Sequence, residues 1–413
     1  MLRETLDLLR CPFCGTRLAL VDGAGRAGAG SWIESGVLGC ECCAFPIVAG
    51  IPVLIADDPT RDAMHALEAG HADDALHRLL GLDEPRREEF RRLIAGPRPP
   101  TYRDLLAVLC RDAEADCFLY RFSDPTYLTI ETLLDALAQD PPAAAGRALD
   151  LCGGSGHLTR VLLRAPSRRG VVLADLHFWK LWLAARITAP GCAPVCCDAN
   201  SPLPFADGLF STVLLSDAFP YIWHKRMLAG EMARAATPDG VVVLPHLHSS
   251  QGQNFNAGDT LTPGAYHDLF AQLEPRLFED GALFEEMLAE RAVDLTRSRA
   301  PDDLAGAPSL TLVATRRAEL FRRYQVPDRL DVSDLLTVNP LYRAEPAEGG
   351  TRLTLGFPTP EYQAEFGEVT RYLPSTITVA ADLRGSLAAA DFGPDYADLR
   401  RRRVLLDAPH RYC

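Results

Sequence analysis

The sequence predicts an α/β protein built on a parallel sheet with helices on both faces and smaller modules before and after it. Three observations predict this. From Gly146 onward, short apolar runs alternate with helical patterns, which is the rhythm of strands joined by crossover helices. A tight glycine turn, LDLCGGSGHLT (149–159), follows the first of those runs. A compact cysteine pattern occupies residues 1–55.

The chain has 413 residues, too many for one ordinary core, so two or three domains are expected. Hydrophobic residues at 47% and charged residues at 23% fit a soluble globular protein. The net charge of −13 opposes a large static nucleic-acid surface, because phosphate binding needs a concentrated basic face. The start, MLRETLDLLRC, alternates charges and has no apolar core, so no signal peptide is read. No run approaches the eighteen or so apolar residues of a membrane span. A cytoplasmic location without membrane contact is expected. The 12 cysteines are then expected to be metal ligands or buried thiols rather than disulfides.

The elements follow in order. Residues 1–55 form the cysteine module. Residues 56–140 read as a helical region that covers the main domain and shapes its substrate pocket: ALHRLLGL, EEFRRLIAG and TYRDLLAVLC space apolar residues by three and four. SDPTYLTIETLLDALAQD reads as a helix entered by Ser123 or Asp124, with Pro125 in its first turn. Residues 141–318 hold the sheet: RALDL, VVLAD, APVCC, STVLLSD and VVVLPHL, with SLTLVATRR completing it and AYHDLFAQL and GALFEEMLAE as helices between. Cys196 and Cys197 are expected on opposite faces of one strand, since successive strand residues alternate. Residues 319–413 form a C-terminal α+β extension, either a separate appendage or an extension of the main sheet, with TRLTLGF and STITVAADL as strands. Arg400 to Arg403 read as a solvated helix face.

Cys11, Cys14, Cys40 and Cys43 form two C-x2-C knuckles separated by a long gap. Four thiolates in this arrangement can close a tetrahedron around Zn2+, with no open position, so the metal would be structural. Cys42 lies inside the second knuckle, where a ligand swap is the alternative. LLRCPFCGTRLAL followed by GVLGCECCAFPIVAGIPVLI resembles the small zinc-ribbon family whose best-known member activates tRNA and protein methyltransferases. The matching positions are Cys11, Pro12, Cys14, Leu18, Leu38, Cys40, Cys43, Phe45, Pro46, Ile47, Gly50, Ile51 and Pro52.

Three readings compete for the glycine turn. A dinucleotide fingerprint would need a third glycine where Thr159 stands. A nucleophile elbow built on Ser155 would need a closing glycine where His157 stands. S-adenosylmethionine (SAM) has no pyrophosphate and asks only that the backbone pass close to its amino-acid portion, which small residues allow. Asp150 could then reach the ammonium, Asp175 at the end of VVLAD the ribose hydroxyls, and Asp198 after APVCC the adenine amino group.

The turn resembles motif I of class I SAM-dependent methyltransferases, including quinone-biosynthesis C-methyltransferases. CDANSPLPFADGLFSTVLLSDAF and TPDGVVVLPHLH resemble the segments that follow in that superfamily, over about residues 146–250. The resemblance implies a Rossmann-like class I methyltransferase sheet with an N-terminal zinc ribbon, a helical insert and the small C-terminal extension. It implies Gly153, Gly154 and Gly156 as the cofactor loop, Asp175 as the ribose acid, and Asp198 with Ala199 on the adenine side. Ser211 and Asp239 depart from the family's pattern.

An oxygen or nitrogen acceptor often needs a base, and strand C-termini are where one should lie. Asp217, His246 and His248 follow two successive strands and are the candidates. Tyr120, Arg121, Tyr127, Tyr221 and Asn254 are the candidate acceptor-pocket residues. The favoured function is methyl transfer to a small molecule of specialised metabolism. The alternatives are a zinc-ribbon rRNA or tRNA methyltransferase, which would need a basic face, and a non-catalytic SAM-fold partner protein. A homo-oligomer, or a protein partner docked through the ribbon, is left open.

Overall fold

The computed structural model describes residues 1–21, 26–27, 32–110, 114–253, 258–326, 336–380, 383 and 396–413. The N-terminal module begins with one helical turn, α1 (Arg3–Leu6). It folds into an antiparallel sheet of β1 (Ala19–Leu20), β2 (Arg26–Ala27), β3 (Ile33–Gly39), β4 (Ala44–Val48) and β5 (Ile51–Pro52). A module this small cannot fill its own core. Leu8, Leu9, Leu38, Phe45 and Ile47 therefore share one buried cluster with Val195, Leu203 and Phe205 of the main domain. The backbone joins too: Val53 bridges Cys196 in parallel and the Leu54 N–H donates to the Cys196 carbonyl at 2.7 Å.

The helical region comprises α2 (Asp58–Glu68), α3 (Ala72–Leu79), α4 (Glu84–Ile94), α5 (Tyr102–Leu109), α6 (Glu114–Tyr120) and α7 (Pro125–Leu137), then the short α8 (Pro141–Ala144). Asp57, Asp83, Thr101, Asp124 and Asp140 cap α2, α4, α5, α7 and α8, each accepting a first-turn backbone N–H. Proline opens α7 and α8, where its missing N–H costs nothing.

The main sheet has seven strands. In chain order they are β6 (Gly146–Leu151), β7 (Arg168–Asp175), β8 (Ala193–Cys196), β9 (Phe210–Leu214), β10 (Ala236–His248) and β11 (Pro275–Glu279). After the separate short β12 (Ala292–Asp294) comes the seventh, β13 (Ser309–Ala314). Their spatial order is β11-β13-β10-β9-β6-β7-β8, and β13 runs antiparallel to both its neighbours. The order reverses at β6, between β7 and β9, and that switch point is where open α/β sheets hold ligands. Crossovers are α9 (His157–Leu163), α10 (Phe178–Leu183) and α11 (Lys225–Ala235); α12 (Pro263–Leu269) and α13 (Asp280–Glu290) lie between β10 and β12.

Strand alternation divides the core. Ala148, Leu173 and Cys196 face the layer of α7, α9 and α10. Leu149, Leu151, Ala174 and Cys197 face the layer of α11 and the N-terminal module. The two adjacent cysteines thus lie on opposite faces, as the alternation requires.

The chain ends in a second small unit. Strand β14 (Arg323–Gln325) pairs with β12. Then β15 (Leu336–Val338) pairs with the last strand, β19 (Leu405–Asp407), while β16 (Tyr342–Ala347), β17 (Gly350–Leu355) and β18 (Thr376–Val379) form their own antiparallel sheet. Helices α14 (Pro360–Phe366) and α15 (Tyr396–Arg401) complete it. This unit has its own apolar cluster and does not extend the main sheet. The arginine run is a solvated face only in part: Arg401 is exposed and Arg402 half-exposed, whereas Arg403 is mostly buried and pairs with Glu131 of α7, which also accepts from Arg164 at 2.6 Å. No described helix is long and apolar enough to cross a membrane.

Candidate functional site

The glycine turn leaves β6 at the switch point and enters α9. A Cβ on Gly153 would stand 2.5 Å from both the Asp150 carboxyl carbon and a Leu173 methyl, so only glycine lets the chain pass over this strand. Gly156 has φ +81° as it begins α9, and a Cβ there would meet Ala184 at 2.9 Å. Asp150 lies beneath the turn, 1% exposed, and accepts from the Thr159 hydroxyl at 2.6 Å. Burial, assisted by the nearby Asp175 charge and opposed by the Thr159 hydrogen bond, pushes its carboxyl up to about 7.

Ser155 is buried in a relay that points away from the cleft. Its hydroxyl meets the Tyr102 hydroxyl at 2.7 Å and His157 Nδ1 at 3.4 Å. His157 Nε2 meets the Tyr412 hydroxyl at 2.8 Å, and that hydroxyl donates to the Phe118 carbonyl at 2.8 Å. The last donation assigns the Nε2–H tautomer to His157. Burial holds this imidazole down at about 3, so it stays neutral. Tyr412 also stacks on Tyr102, with ring centroids 4.8 Å apart. A serine committed to this relay is not presented as a nucleophile.

At the end of β7, Asp175 accepts from the Gly154 N–H at 2.9 Å and the His177 N–H at 2.8 Å, one on each oxygen. Each carboxylate oxygen has a second lone pair, so the group that fixes the turn can still accept from vicinal hydroxyls. Leu176 beside it is apolar yet 46% exposed. Asp198 turns the chain after β8 by accepting from the Asn200 N–H at 2.8 Å, and Ala199 is buried beside it.

The same sheet edge continues into a polar cluster at the ends of β9 and β10. Asp217 and His246 are non-glycine residues at positive φ, +59° and +57°, and β10 carries a bulge between Leu244 and Leu247. Bulges re-aim side chains next to sites. Here the His246 and His248 rings meet edge to face with centroids 4.7 Å apart. His248 Nε2 lies 3.1 Å from Asp217 and His246 Nδ1 lies 3.0 Å from Asp280, which also accepts from the Thr311 hydroxyl at 2.7 Å. Burial would raise the Asp217 carboxyl, but the His248 hydrogen bond and His246 hold it below the usual range. Burial would lower His246, but Asp280 and Asp217 raise it above an ordinary imidazole.

The walls come from elsewhere in the chain. Arg121 pairs with Asp124 at 3.2 Å and feels the Asp217 charge. Glu365 of α14 is pushed up by burial and by Asp217 and Asp124. Tyr372 donates to the Ser123 carbonyl at 2.6 Å, fastening the C-terminal unit to this edge. Asp280, Glu365 and Asp124 were not singled out in the sequence as site residues. They are ordinary acids at a helix start, in a weakly patterned segment and at a helix cap, and only the tertiary fold gathers them.

Of the predicted pocket residues, Arg121 joins the cluster, and Tyr120 packs against Tyr362 at its border, with ring centroids 5.5 Å apart. Tyr127 does not: it is fully buried in the first turn of α7, packed on Phe122 with its hydroxyl 3.4 Å from Glu131. Tyr221 is mostly exposed on the short turn Phe219–Tyr221. Asn254 lies outside the described residues. Tyr266 is buried and donates to the His248 carbonyl at 2.9 Å, holding that strand end.

In the N-terminal module the structure groups Cys11, Cys14, Cys40 and Cys42, with all four sulfurs within 4.8 Å of one another. Cys42 thus takes the place expected for Cys43. Cys43 ends the turn that leads from β3 into β4, and its sulfur lies 3.4 Å from that of Cys42. The separations are 3.7 Å for Cys14–Cys40, 3.9 Å for Cys11–Cys42 and 3.5 Å for Cys40–Cys42. A tetrahedral ion with bonds of about 2.3 Å requires sulfurs about 3.8 Å apart, so the donor set fits zinc.

Comparison with known proteins bears on the sheet domain. Residues 148–240 match a methyltransferase domain family. No curated protein matches the sequence. Similar solved structures include a SAM-dependent methyltransferase from Mesorhizobium loti, at 18% identity over 44% of this chain and 96% of that one, TM-score 0.33. Another is a complex between the Haloferax volcanii Trm112 methyltransferase activator and a candidate methyltransferase, at 18% identity over 45% and 88%, TM-score 0.34. A third is the [4+2]-cyclase SpnF, at 17% identity over 45% and 80%, TM-score 0.33. The family match runs through the glycine turn, Asp175 and Asp198, so these residues lie in a segment that matches a methyltransferase domain.

Proposed function

We propose that the protein transfers the methyl group of SAM to a small-molecule acceptor enclosed at the C-terminal edge of β9 and β10. The observation that carries this reading is the polar cluster of Asp217, His246 and His248, set on the same sheet edge as the glycine turn and walled by Arg121, Asp124 and Glu365. In this reading the backbone of Gly153, Gly154 and Gly156 and the buried Asp150 support the methionine portion. Asp175 receives the ribose, and Asp198 and Ala199 border the adenine. The acceptor's lone pair forms a bond to the methyl carbon while the C–S bond breaks, leaving its electron pair on sulfur. The acceptor's proton passes to His248, whose ring Asp217 orients.

Residues 1–55 act in cis as a zinc ribbon held by Cys11, Cys14, Cys40 and Cys42, closing the β8 edge of the sheet. Residues 56–140 and 319–413 enclose the acceptor around the domain of residues 141–318. The preponderance of acids around the cluster and the net charge of −13 favour a neutral or cationic small molecule over RNA.

The test is a thermal-shift titration of the zinc-loaded full chain with SAM and with S-adenosylhomocysteine. Stabilisation by both, in a preparation free of copurified RNA, is expected. Absence of affinity for either ends the enzymatic reading, and salt-sensitive RNA binding would transfer it to a nucleic-acid acceptor.

A further inference from the structure

We propose that Asp217, His246 and His248 form a second metal site, one that takes a first-row divalent transition ion. Their ligand atoms lie within 4.8 Å of one another. Two imidazoles and one carboxylate around an ion with bonds of about 2.0–2.2 Å need mutual separations of about 3–4 Å. A small closure of the side chains therefore brings all three into the first coordination sphere. Three protein ligands leave positions open, the pattern of reactive rather than structural sites, in contrast to the four-sulfur group.

Three further features fit an ion better than a self-contained hydrogen-bond pair. First, His246 is held from behind: Nδ1 faces Asp280, which is itself fixed by Thr311, so Nε2 is the nitrogen left to bind. Metal-binding histidines are oriented by such outer carboxylates. Second, two non-glycine residues of the three sit at positive φ, a backbone cost that mutual hydrogen bonding alone does not require. Third, Asp124, Asp217, Asp280 and Glu365 converge here, while the neighbouring cation Arg121 is already paired with Asp124. Asp124 is buried, Asp280 and Asp217 are partly buried and Glu365 lies at the exposed rim, and this surplus of carboxylates favours a cation of higher charge. Imidazole donors favour zinc, iron, cobalt or nickel over magnesium or calcium.

The inference deepens the acceptor reading and rests on it only for what faces the open positions: with an ion held by His248 and Asp217, a hydroxyl set beside it would have its pKa lowered and lose its proton to solvent, and the proton transfer to His248 would apply to the metal-free site alone. Metal binding itself stands on the side chains alone. The experiment uses the full chain, stripped with chelator and reloaded with Zn2+ or Co2+, with metal content measured by mass spectrometry. Wild type is expected to hold one equivalent beyond the cysteine-bound ion, and that equivalent is expected to be lost in His248→Gln and in Asp217→Asn. In the Co2+ forms both variants should keep the thiolate charge-transfer band of the cysteine group and their affinity for S-adenosylhomocysteine, which shows that they are folded. Wild type saturating at the cysteine-bound equivalent, or folded variants holding as much metal as wild type, overturns the proposal. Lost cofactor affinity with the second equivalent retained would instead strike the methyl-transfer reading and leave the metal site standing.

Discussion

Replacing Asp150 with asparagine should make the stability of the sheet domain less sensitive to pH, in a direction fixed by burial. Asp150 lies under the glycine turn, and its carboxyl is raised from 3.8 to about 7. Below pH 3.8 the side chain is protonated in both folded and unfolded chains, so its burial carries no ionisation penalty. Between pH 3.8 and about 7 the unfolded chain gives up the proton and the folded one keeps it. The unfolded state then binds fewer protons, and stability falls as pH rises. At about 1.4 kcal/mol per pH unit, that interval amounts to on the order of 4 kcal/mol, fully expressed above pH 7. Asparagine keeps the shape and an oxygen for the Thr159 hydroxyl but has no proton to lose. Denaturant unfolding followed by tryptophan fluorescence, with Trp179 and Trp182 on the helix after β7, measures both proteins at pH 4.5, 6 and 8. Asp150→Asn should gain on wild type steadily as pH rises and level off near pH 8. A gap between the two proteins that is the same at all three pH values would refute the account of Asp150.

Other outcomes follow from contacts described above. Gly153→Ala forces a methyl to within 2.5 Å of Asp150 and Leu173 and should cost about 1–3 kcal/mol in thermal unfolding. Gly230→Ala, in α11 with open space around it, should be neutral or stabilising by up to about 1 kcal/mol; equal effects of the two would contradict the packing argument. Asp175→Ala should weaken S-adenosylhomocysteine binding by about 10- to 100-fold in calorimetry, since hydrogen bonds to a charged group contribute about 1.5–3 kcal/mol. Glu131→Gln should destabilise by about 3–5 kcal/mol at neutral pH by leaving Arg164 and Arg403 without their shared carboxylate. Burial would raise the Glu131 carboxyl, but those arginines hold it at about 2, so its stabilisation is present above pH 4.5 and fades on acidification towards pH 2. The variant's deficit should shrink over that range in acid unfolding curves.

The parts legible in the sequence were those written locally. Asp124 and Pro125 announced α7, the strand-helix rhythm from Gly146 announced the sheet, and the acids that end VVLAD and follow APVCC stand at its carboxyl edge. Strand β11, in PRLFE, escaped because five residues with a proline and two charges carry no clear alternation, and only pairing with β13 makes them a strand. Tyr127 was misplaced because an aromatic beside polar residues reads the same whether its ring faces a pocket or a core. The fourth sulfur is ambiguous in the sequence because C-x-C and C-x2-C overlap in CECC, and the fold brings Cys42 into the sulfur group with the Cys43 sulfur 3.4 Å from it. The acceptor side was least legible: Asp280 and Glu365 lie far from Asp217 in sequence, and no local pattern records that they meet.

Tyr412 bears on how the protein is made. Its ring and hydroxyl complete the aromatic roof of Tyr102, Phe122 and His157 beside the cofactor turn, yet it is second from last of the residues here. On the ribosome, the turn emerges some 250 codons earlier than the tyrosine that caps it. Nascent chains therefore carry a sheet with an unfinished ceiling until Tyr412 itself has left the ribosome. A chain cut just before Tyr412 should lose the His157 hydrogen bond and the stacked ring together and behave as a null rather than a mild variant.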